Sequence, residues 1–306
     1  MKKFLLSTLV ICMAFLSSCD QDSAKPNNGG GDNPVVGKKI SSIYYDYTYY
    51  GEQSSDYGQT WEPTESYNAS YKLCDWTWDN NKLMLITIYN EDNTVNRTTR
   101  FEYNNNLITR FIEDNDYDIT TVDLIYSGNN IVKINCTNNG IQGPIWSLTY
   151  NASGKLYRMT CDYWPMKDIM PKETSLSKLL TCKHGNAKEG YDYIEFEWSG
   201  DNVRKISYHE ECDIDYETYM YDSHNNPYYN VNQLFGLFID DFYTISRNNC
   251  IKVIADDGIT VDYTYNYYDN YPMQRIYVYE YYHGEGEQYQ WRYTSTEKYS
   301  YNYLED

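Results

Sequence analysis

Polarity alternates residue by residue through much of this chain. Arg100-Phe101-Glu102-Tyr103 and Glu195-Phe196-Glu197-Trp198 change character at every step, the period of a strand with one buried face. The alternating runs end in a shared way, with an aromatic residue, a short turn of Asn, Asp, Gly or Ser, and an apolar residue opening the next run. The motif reads Trp78-Asp79-Asn80-Asn81-Lys82-Leu83, then Tyr103-Asn104-Asn105-Asn106-Leu107-Ile108, with further copies led by Tyr126, Tyr150, Trp198 and Tyr221. Looser copies begin at Ile245 and Tyr267. The leads recur about every 24 residues, except for a doubled gap between Tyr150 and Trp198 that reads as two periods with one copy replaced. About 24 residues suit two strands and their turns, so each period is a β-hairpin. Asn and Gly at the tips supply the positive φ that tight hairpin turns need.

Hairpins at a fixed period form an array in which each unit buries its face against its neighbours. Twisted sheets of many strands do not stay flat. The expected fold is therefore all-β, an antiparallel β-hairpin repeat meander curled into an open or closed barrel-like sheet. Two stretches break the pattern. Between about Tyr163 and Gly190 lie Pro165, Pro171 and a helical spacing of Leu176, Leu179 and Leu180 over Ser175–Cys182. Asn230 to Asp240 carries Val231, Leu234, Phe235, Leu237 and Phe238. They predict one or two short helical insertions packed over an end of the sheet.

The first residues follow a different logic. Lys2 and Lys3 precede an apolar run from Phe4 to Phe15, and Leu16-Ser17-Ser18-Cys19 closes it. The run is too short for a membrane-spanning helix and suits an export signal. Its ending resembles a bacterial lipobox, which makes Cys19 the acylated residue. The chain thus divides into a lipoprotein signal peptide (1–18), a flexible tether (19–38) rich in Asn and Gly, and a single β-repeat domain (39–306). Asp20 and Asp22 resemble the acidic residues that direct Bacteroidota-type lipoproteins to the cell exterior, with the periplasmic face of the outer membrane as the alternative. Asp22-Ser23-Ala24 resembles a short O-glycosylation acceptor of the same bacteria, centred on Ser23.

Charge narrows the partners. The chain carries a net charge of −19, and loss of Lys2 and Lys3 with the signal deepens it. Phosphate backbones repel such a surface, which excludes nucleic acid. The expected contact with a membrane is through acylated Cys19 alone. A lipid-facing barrel would need an outward apolar band, whereas these strands carry Lys, Asp, Glu and Asn throughout and the mean hydropathy is −0.74. Nothing in the pattern sets an oligomeric state.

The aromatic-turn-apolar units resemble the YD-type repeats of large exported bacterial proteins. With the lipobox, the Asn/Gly-rich tether, and Asn226-Pro227 followed by Phe235 and Asn248-Asn249, the whole pattern resembles an uncharacterised family of Bacteroidota outer-membrane lipoproteins with a porin-like fold. The resemblance implies a fold and a location. It transfers no catalytic residue.

Candidate chemistry is sparse. Of the eight cysteines, Cys74, Cys136, Cys161, Cys182, Cys212 and Cys250 remain beyond the signal and the anchor, free or paired in an exported compartment that permits either. His209-Glu210-Glu211-Cys212 and Cys182-Lys183-His184 lack recognisable zinc spacing. Glu210, Glu211, Asp213 and Asp215 could pair as hydrolytic acids, although acids are abundant everywhere in this chain. No nucleophile elbow, phosphate loop or dinucleotide fingerprint is present. The reading is non-enzymatic, with no cofactor and no metal. Aromatic residues carry the functional case. The chain has 38 tyrosines and 7 tryptophans, in runs such as Tyr277-Val278-Tyr279 and Tyr299-Ser300-Tyr301-Asn302-Tyr303. Such rings either pack across strands or form a platform for a glycan or another extracellular ligand. A structural or assembly role against another envelope component is the alternative, and a hydrolase comes last.

Overall fold

The computed structural model describes residues 39–163, 193–210, 213–226, 245–268, 270–283 and 289–304. The strands are β1 (Ile40–Ser54), β2 (Glu62–Asp79), β3 (Lys82–Tyr89), β4 (Val95–Asn104), β5 (Leu107–Asp114), β6 (Ile119–Ser127), β7 (Asn130–Asn138) and β8 (Ile141–Tyr150), followed by β9 (Leu156–Tyr163), β10 (Tyr193–Ser199), β11 (Asn202–Glu210), β12 (Asp213–Asn225), β13 (Asn248–Ala255), β14 (Thr260–Tyr268), β15 (Tyr271–His283) and β16 (Gln290–Tyr303). Each pairs antiparallel with the next, and β16 returns to β1, so the sheet is a closed barrel. The signal, Cys19, Ser23, the tether and both proposed helical insertions lie outside the described residues.

Alternation places one row of each strand inward. Leu83, Ile86, Phe101, Phe111, Val122, Ile134, Trp146, Met159, Phe196 and Ile206 are buried in one continuous core, and this burial is the main drive to fold. Residues of opposite parity on the same strands, such as Arg100, Glu102 and Glu197, are exposed. A barrel that crosses lipid has the reverse arrangement, apolar outside and polar within.

The recurring aromatic has a specific task. At each boundary between successive hairpins the strand ladder stops short of one end of the barrel, called here the lead end. Between β3 and β4, for example, the last pair is Leu85 with Arg100. The next inward carbonyl, Leu83, has lost its strand partner, and the Tyr103 hydroxyl donates to it at 2.9 Å. The same bond recurs from Trp78 to Ile40, Tyr126 to Ile108, Tyr150 to Ile131, Trp198 to Leu156, Tyr221 to Val203, Tyr265 to Cys250 and Tyr303 to Pro272, all at 2.6–3.0 Å. A buried carbonyl needs a partner, and each unit supplies one to the unit before it. Burial also pushes the Tyr103 phenol up to about 12, so it remains a donor at neutral pH.

This ring revises three sequence readings. The doubled gap before Trp198 is one period, because β9 pairs directly with β10 and the added length is the connection between them. Ile245 leads no hairpin. Its segment precedes β13, where Ser246 accepts from the Val203 amide and Asn226 donates to the Ser246 carbonyl. Finally, Tyr265 makes the bond expected of Tyr267, which instead donates to Asp222.

Cysteines divide as well. Cys136, Cys161 and Cys250 are buried, and burial pushes the Cys136 thiol up to about 12. They pack as small hydrophobes. Cys74 is disulfide-bonded, with its partner outside the described residues.

Candidate functional site: a tyrosine wall at the far end

Strands β1, β2, β15 and β16 run to 15, 18, 13 and 14 residues, whereas β3, β5 and β9 have 8 each. All begin or end near the ring of leads, so the surplus rises beyond the core at the opposite, far end. These strands form a tall wall there.

Parity identifies its inner face. Ile43 and Tyr45 on β1 and Tyr299 and Tyr301 on β16 are buried. Tyr47, Tyr49 and Gln53 continue the first row, and Glu297, Tyr293 and Trp291 the second. Register sets Tyr45 opposite Tyr71 and Tyr49 opposite Tyr67 on β2, and Tyr49 opposite Ser295 and Gly51 opposite Tyr293 on β16. The rings contact one another, with Tyr49 stacked on Tyr293 at 5.6 Å and Tyr47 tilted against Tyr67 at 6.1 Å. Gly51 makes this possible, because a Cβ there would sit 3.2 Å from the Tyr293 ring and 2.8 Å from Thr64 Oγ1.

The wall has a polar floor and an aromatic mouth. At its base Glu297, 4% exposed, accepts from Tyr277 at 2.6 Å and Tyr299 at 2.7 Å, and the Tyr45 phenol bonds the same carboxylate. Arg275, also buried, stacks over Tyr299 at 4.5 Å and Tyr263 at 5.3 Å. Burial, reinforced by Glu297, raises the phenols of Tyr45, Tyr277 and Tyr299. Tyr49 is pushed up to about 12 by desolvation and its bond to Glu65. These hydroxyls are therefore neutral hydrogen-bonding groups at physiological pH rather than bases. At the mouth, Gln53, Ser54, Ser55, Thr60, Glu62, Tyr289 and Trp291 line a small pocket of about 90 Å³. Trp61 flanks it with the Arg292 guanidinium 4.5 Å over its ring, and Arg292 is paired with Glu52.

No family model and no curated protein matches this chain. Two solved structures match this chain at low similarity. A porin-like protein from Bacteroides uniformis ATCC 8492 is 13% identical and aligns over 86% of this chain and 96% of its own, with a TM-score of 0.49. A porin-like protein from Bacteroides vulgatus ATCC 8482 is 9% identical over 87% and 98%, with a TM-score of 0.30.

The loop between β1 and β2 that carries the mouth is held by two side chains, Asp56 and Ser54, whose Oγ accepts from the Gly58 amide at 3.0 Å. Asp56 accepts from Ser54 Oγ at 2.7 Å, Thr60 Oγ1 at 2.6 Å and the amides of Gln59 and Thr60. Neighbouring Tyr57 is held at φ 60°, which is unusual for a bulky side chain, and its ring is 63% exposed. The Thr60 hydroxyl, the Thr60 amide and Ser54 hold the Asp56 carboxyl at about 2, below its ordinary 3.8. Because the folded value is depressed, the clamp is complete above the ordinary value and is lost as pH falls toward 2. Amide exchange at Gln59 and Thr60, corrected for its intrinsic pH dependence, is expected to speed up between about pH 4 and 2. Constant protection across that window would show that Asp56 does not hold the loop.

Other candidates from the sequence are accounted for locally. Trp76 and Trp146 belong to the core, and Trp78 and Trp198 to the lead ring. Tyr277, Tyr299 and Tyr301 face inward, whereas Val278 is exposed on the outer face. His209 stacks on Tyr193 at 4.1 Å with Glu195 Oε2 at 3.3 Å. Glu211, Cys212 and the Cys182-Lys183-His184 segment lie outside the described residues, and Asp215 is exposed on β12. Among the described residues no group of three or more His, Cys, Asp or Glu could hold a metal ion. Asn226, Asn248 and Asn249 do converge. Asn248 Nδ2 donates to the His224 carbonyl at 2.8 Å and Asn249 Nδ2 to the Tyr267 hydroxyl at 3.0 Å. This network fastens the segment before β13 to its neighbours, a structural duty.

Proposed function

We propose that the protein is a lipid-anchored component of the cell envelope, displayed at the cell surface, that binds a glycan on the tyrosine wall without transforming it. The observation that carries this reading is the meeting of half-buried aromatic faces, Tyr47, Tyr49, Tyr293 and Trp291, with hydrogen-bonding groups at one mouth. Sugar rings offer an apolar face and a rim of hydroxyls, and such surfaces are held by stacking plus a few placed polar groups. Glu62 and Glu65 in the same wall disfavour uronates and sulfated chains, so the class expected is neutral.

The anchor fits the geometry. Lys39 enters at the lead end, where its carbonyl accepts from the Leu304 amide. A strand of 15 residues is about 50 Å long at ~3.4 Å per residue, so the mouth lies at the end opposite the one at which the proposed tether joins the barrel. Ser23, on the tether, is the proposed O-glycosylation site.

The test is binding of the chain from Lys39 onward, which contains the whole strand ladder, to a panel of neutral and acidic polysaccharides. Saturable binding to a neutral class is expected, with Trp291→Ala or Tyr49→Ala weakening it about tenfold, or about 1.4 kcal/mol. Silence of the folded protein, or binding indifferent to both variants, would remove the glycan reading. A structural or assembly role against another envelope component is the second reading, favoured by exposed aliphatic residues at the same end, Ile119 and Ile141 among them.

A further inference from the structure

Strand β2 and its two neighbours end at different heights. β2 pairs with β1 along its upper length, from Glu62 opposite Gln53 to Lys72 opposite Tyr44. Its ladder to β3 stops at Cys74 with Ile88. A register shift falls at the same point, between Ile43 and Tyr44 on β1, and a bulge of this kind bends the strand and ends regular pairing. Above it, among the described residues, nothing pairs with the second edge of β2. The bare edge over residues 62–70 is about 30 Å long at ~3.4 Å per residue. Below it stands the turn from β3 to β4, closed by the Asn90 amide on the Thr94 carbonyl at 2.8 Å, with Glu91 accepting from the Tyr67 hydroxyl.

An unpaired edge presents alternate N–H and C=O groups, and folded proteins blunt it with Pro, Lys or inward charge. Here Glu62, Pro63 and Glu65 stand near the tip, but Ser66-Tyr67-Asn68-Ala69-Ser70-Tyr71 has no charge and no proline. Its side chains suit a further strand. On the inner face Tyr67, 46% exposed, and half-buried Tyr71 flank Ala69. An aliphatic side chain on an adjoining strand would cover the small residue between the two rings. On the outer face Ser66, Asn68 and Ser70 are small, polar and exposed.

Charge selects the occupant. Glu62, Glu65 and Glu91 lie along this edge, and residues 58–71 contain no Lys or Arg. Lys72, the first cation below, is engaged with Asp75 at 2.7 Å. A second copy would bring the same carboxylates to the seam and set a net charge of −19 against its equal. It would also do so across one strand edge, where two folded bodies need about 1,200 Å² or more. An extended segment bearing Lys or Arg meets the carboxylates and completes the main-chain bonds.

We infer that the upper edge of β2 is a strand-addition site for an extended, cation-bearing segment of another protein. The site is main chain, so it stands whether or not a glycan binds the ring faces of the wall.

The experiment titrates a fluorescent Val/Thr-alternating peptide with Lys at both ends into the chain from Lys39 onward. Two further peptides carry N-methyl groups on the odd or on the even amides. Saturable binding of the parent peptide is expected, and one methylated peptide should bind at least tenfold more weakly than the other, because one set of amides faces β2. Amide exchange reads the protein side without any variant. Alternate amides over 64–70 should exchange fast in the free chain and at least tenfold slower with peptide, while those bonded to β1 stay protected throughout. Ser66→Lys/Asn68→Lys, both at exposed positions, should weaken binding at least tenfold. Glu62→Gln/Glu65→Gln should weaken it severalfold and flatten its salt dependence.

No saturable binding, methylated peptides that bind alike, or slowed exchange that falls outside 62–70 overturns the inference. Self-association in sedimentation that the lysine pair abolishes assigns the edge to a second copy instead.

Discussion

Leucine in place of Glu297 is expected to destabilise the barrel by about 3–5 kcal/mol, the cost of removing one side of a buried charged network. The expected loss follows from what the carboxylate holds. Tyr277, Tyr299 and Tyr45 all direct phenols at it from three adjacent strands, and Arg275 sits against two rings of the same cluster. Leucine leaves these donors facing an apolar group, and each buried unsatisfied donor costs about 1–3 kcal/mol. Glu297→Gln should fall between, because its carbonyl still accepts while its amide opposes another donor. Urea unfolding would show a lower midpoint at unchanged slope. A midpoint within error of the parent would mean that the cluster is spectator to folding.

A comparable loss is expected at the lead end, spread over several sites. Tyr103→Phe, Tyr126→Phe and Tyr150→Phe each keep the ring and remove the donor, leaving the carbonyls of Leu83, Ile108 and Ile131 without it. Those residues are 1%, 4% and 1% exposed, so water does not readily replace the phenol. About 1–2 kcal/mol is expected for each, within the range for an unmet buried group. The three bonds lie on different hairpin boundaries and share no partner, so the triple variant should lose about 3–6 kcal/mol by near-additivity. A triple variant within 1 kcal/mol of the parent would show that the bonds follow from the fold without supporting it.

The lead ring was largely legible from residue order, because an aromatic before an Asn- or Gly-rich turn is a local signal repeated at a fixed spacing. What the aromatic does was not legible, since its acceptor lies on the previous hairpin. Tyr265 and Tyr267 show the limit. Both alternate correctly, both precede the same turn, and only register separates the one that bonds Cys250 from the one that bonds Asp222. Ile245 misled for the opposite reason, as an Asn-rich turn beside an apolar residue without a strand before it. Closure depends on pairing Ser42 with Asn302, a contact that no local pattern encodes. The rows Tyr45, Tyr47, Tyr49 and Tyr277, Tyr279 announce a tyrosine face, but whether it points inward is set by the neighbours of Ile43 and Tyr301. Glu297 was hidden among many acids, and a buried carboxylate has no distinguishing spelling.

The one-to-one hand-off between hairpins bears on how such a chain can change over generations. Every unit brings the donor for the unit before it and offers a carbonyl to the unit after it, and the same bond joins β16 to β15 as joins β4 to β3. A duplicated or deleted hairpin would therefore arrive with its seam chemistry complete, with no compensating change required next door. Girth can then drift in steps of two strands by gene-level duplication, while the tall wall remains free to diversify. The inherited quantity is the seam, and the diameter is what lineages are free to vary.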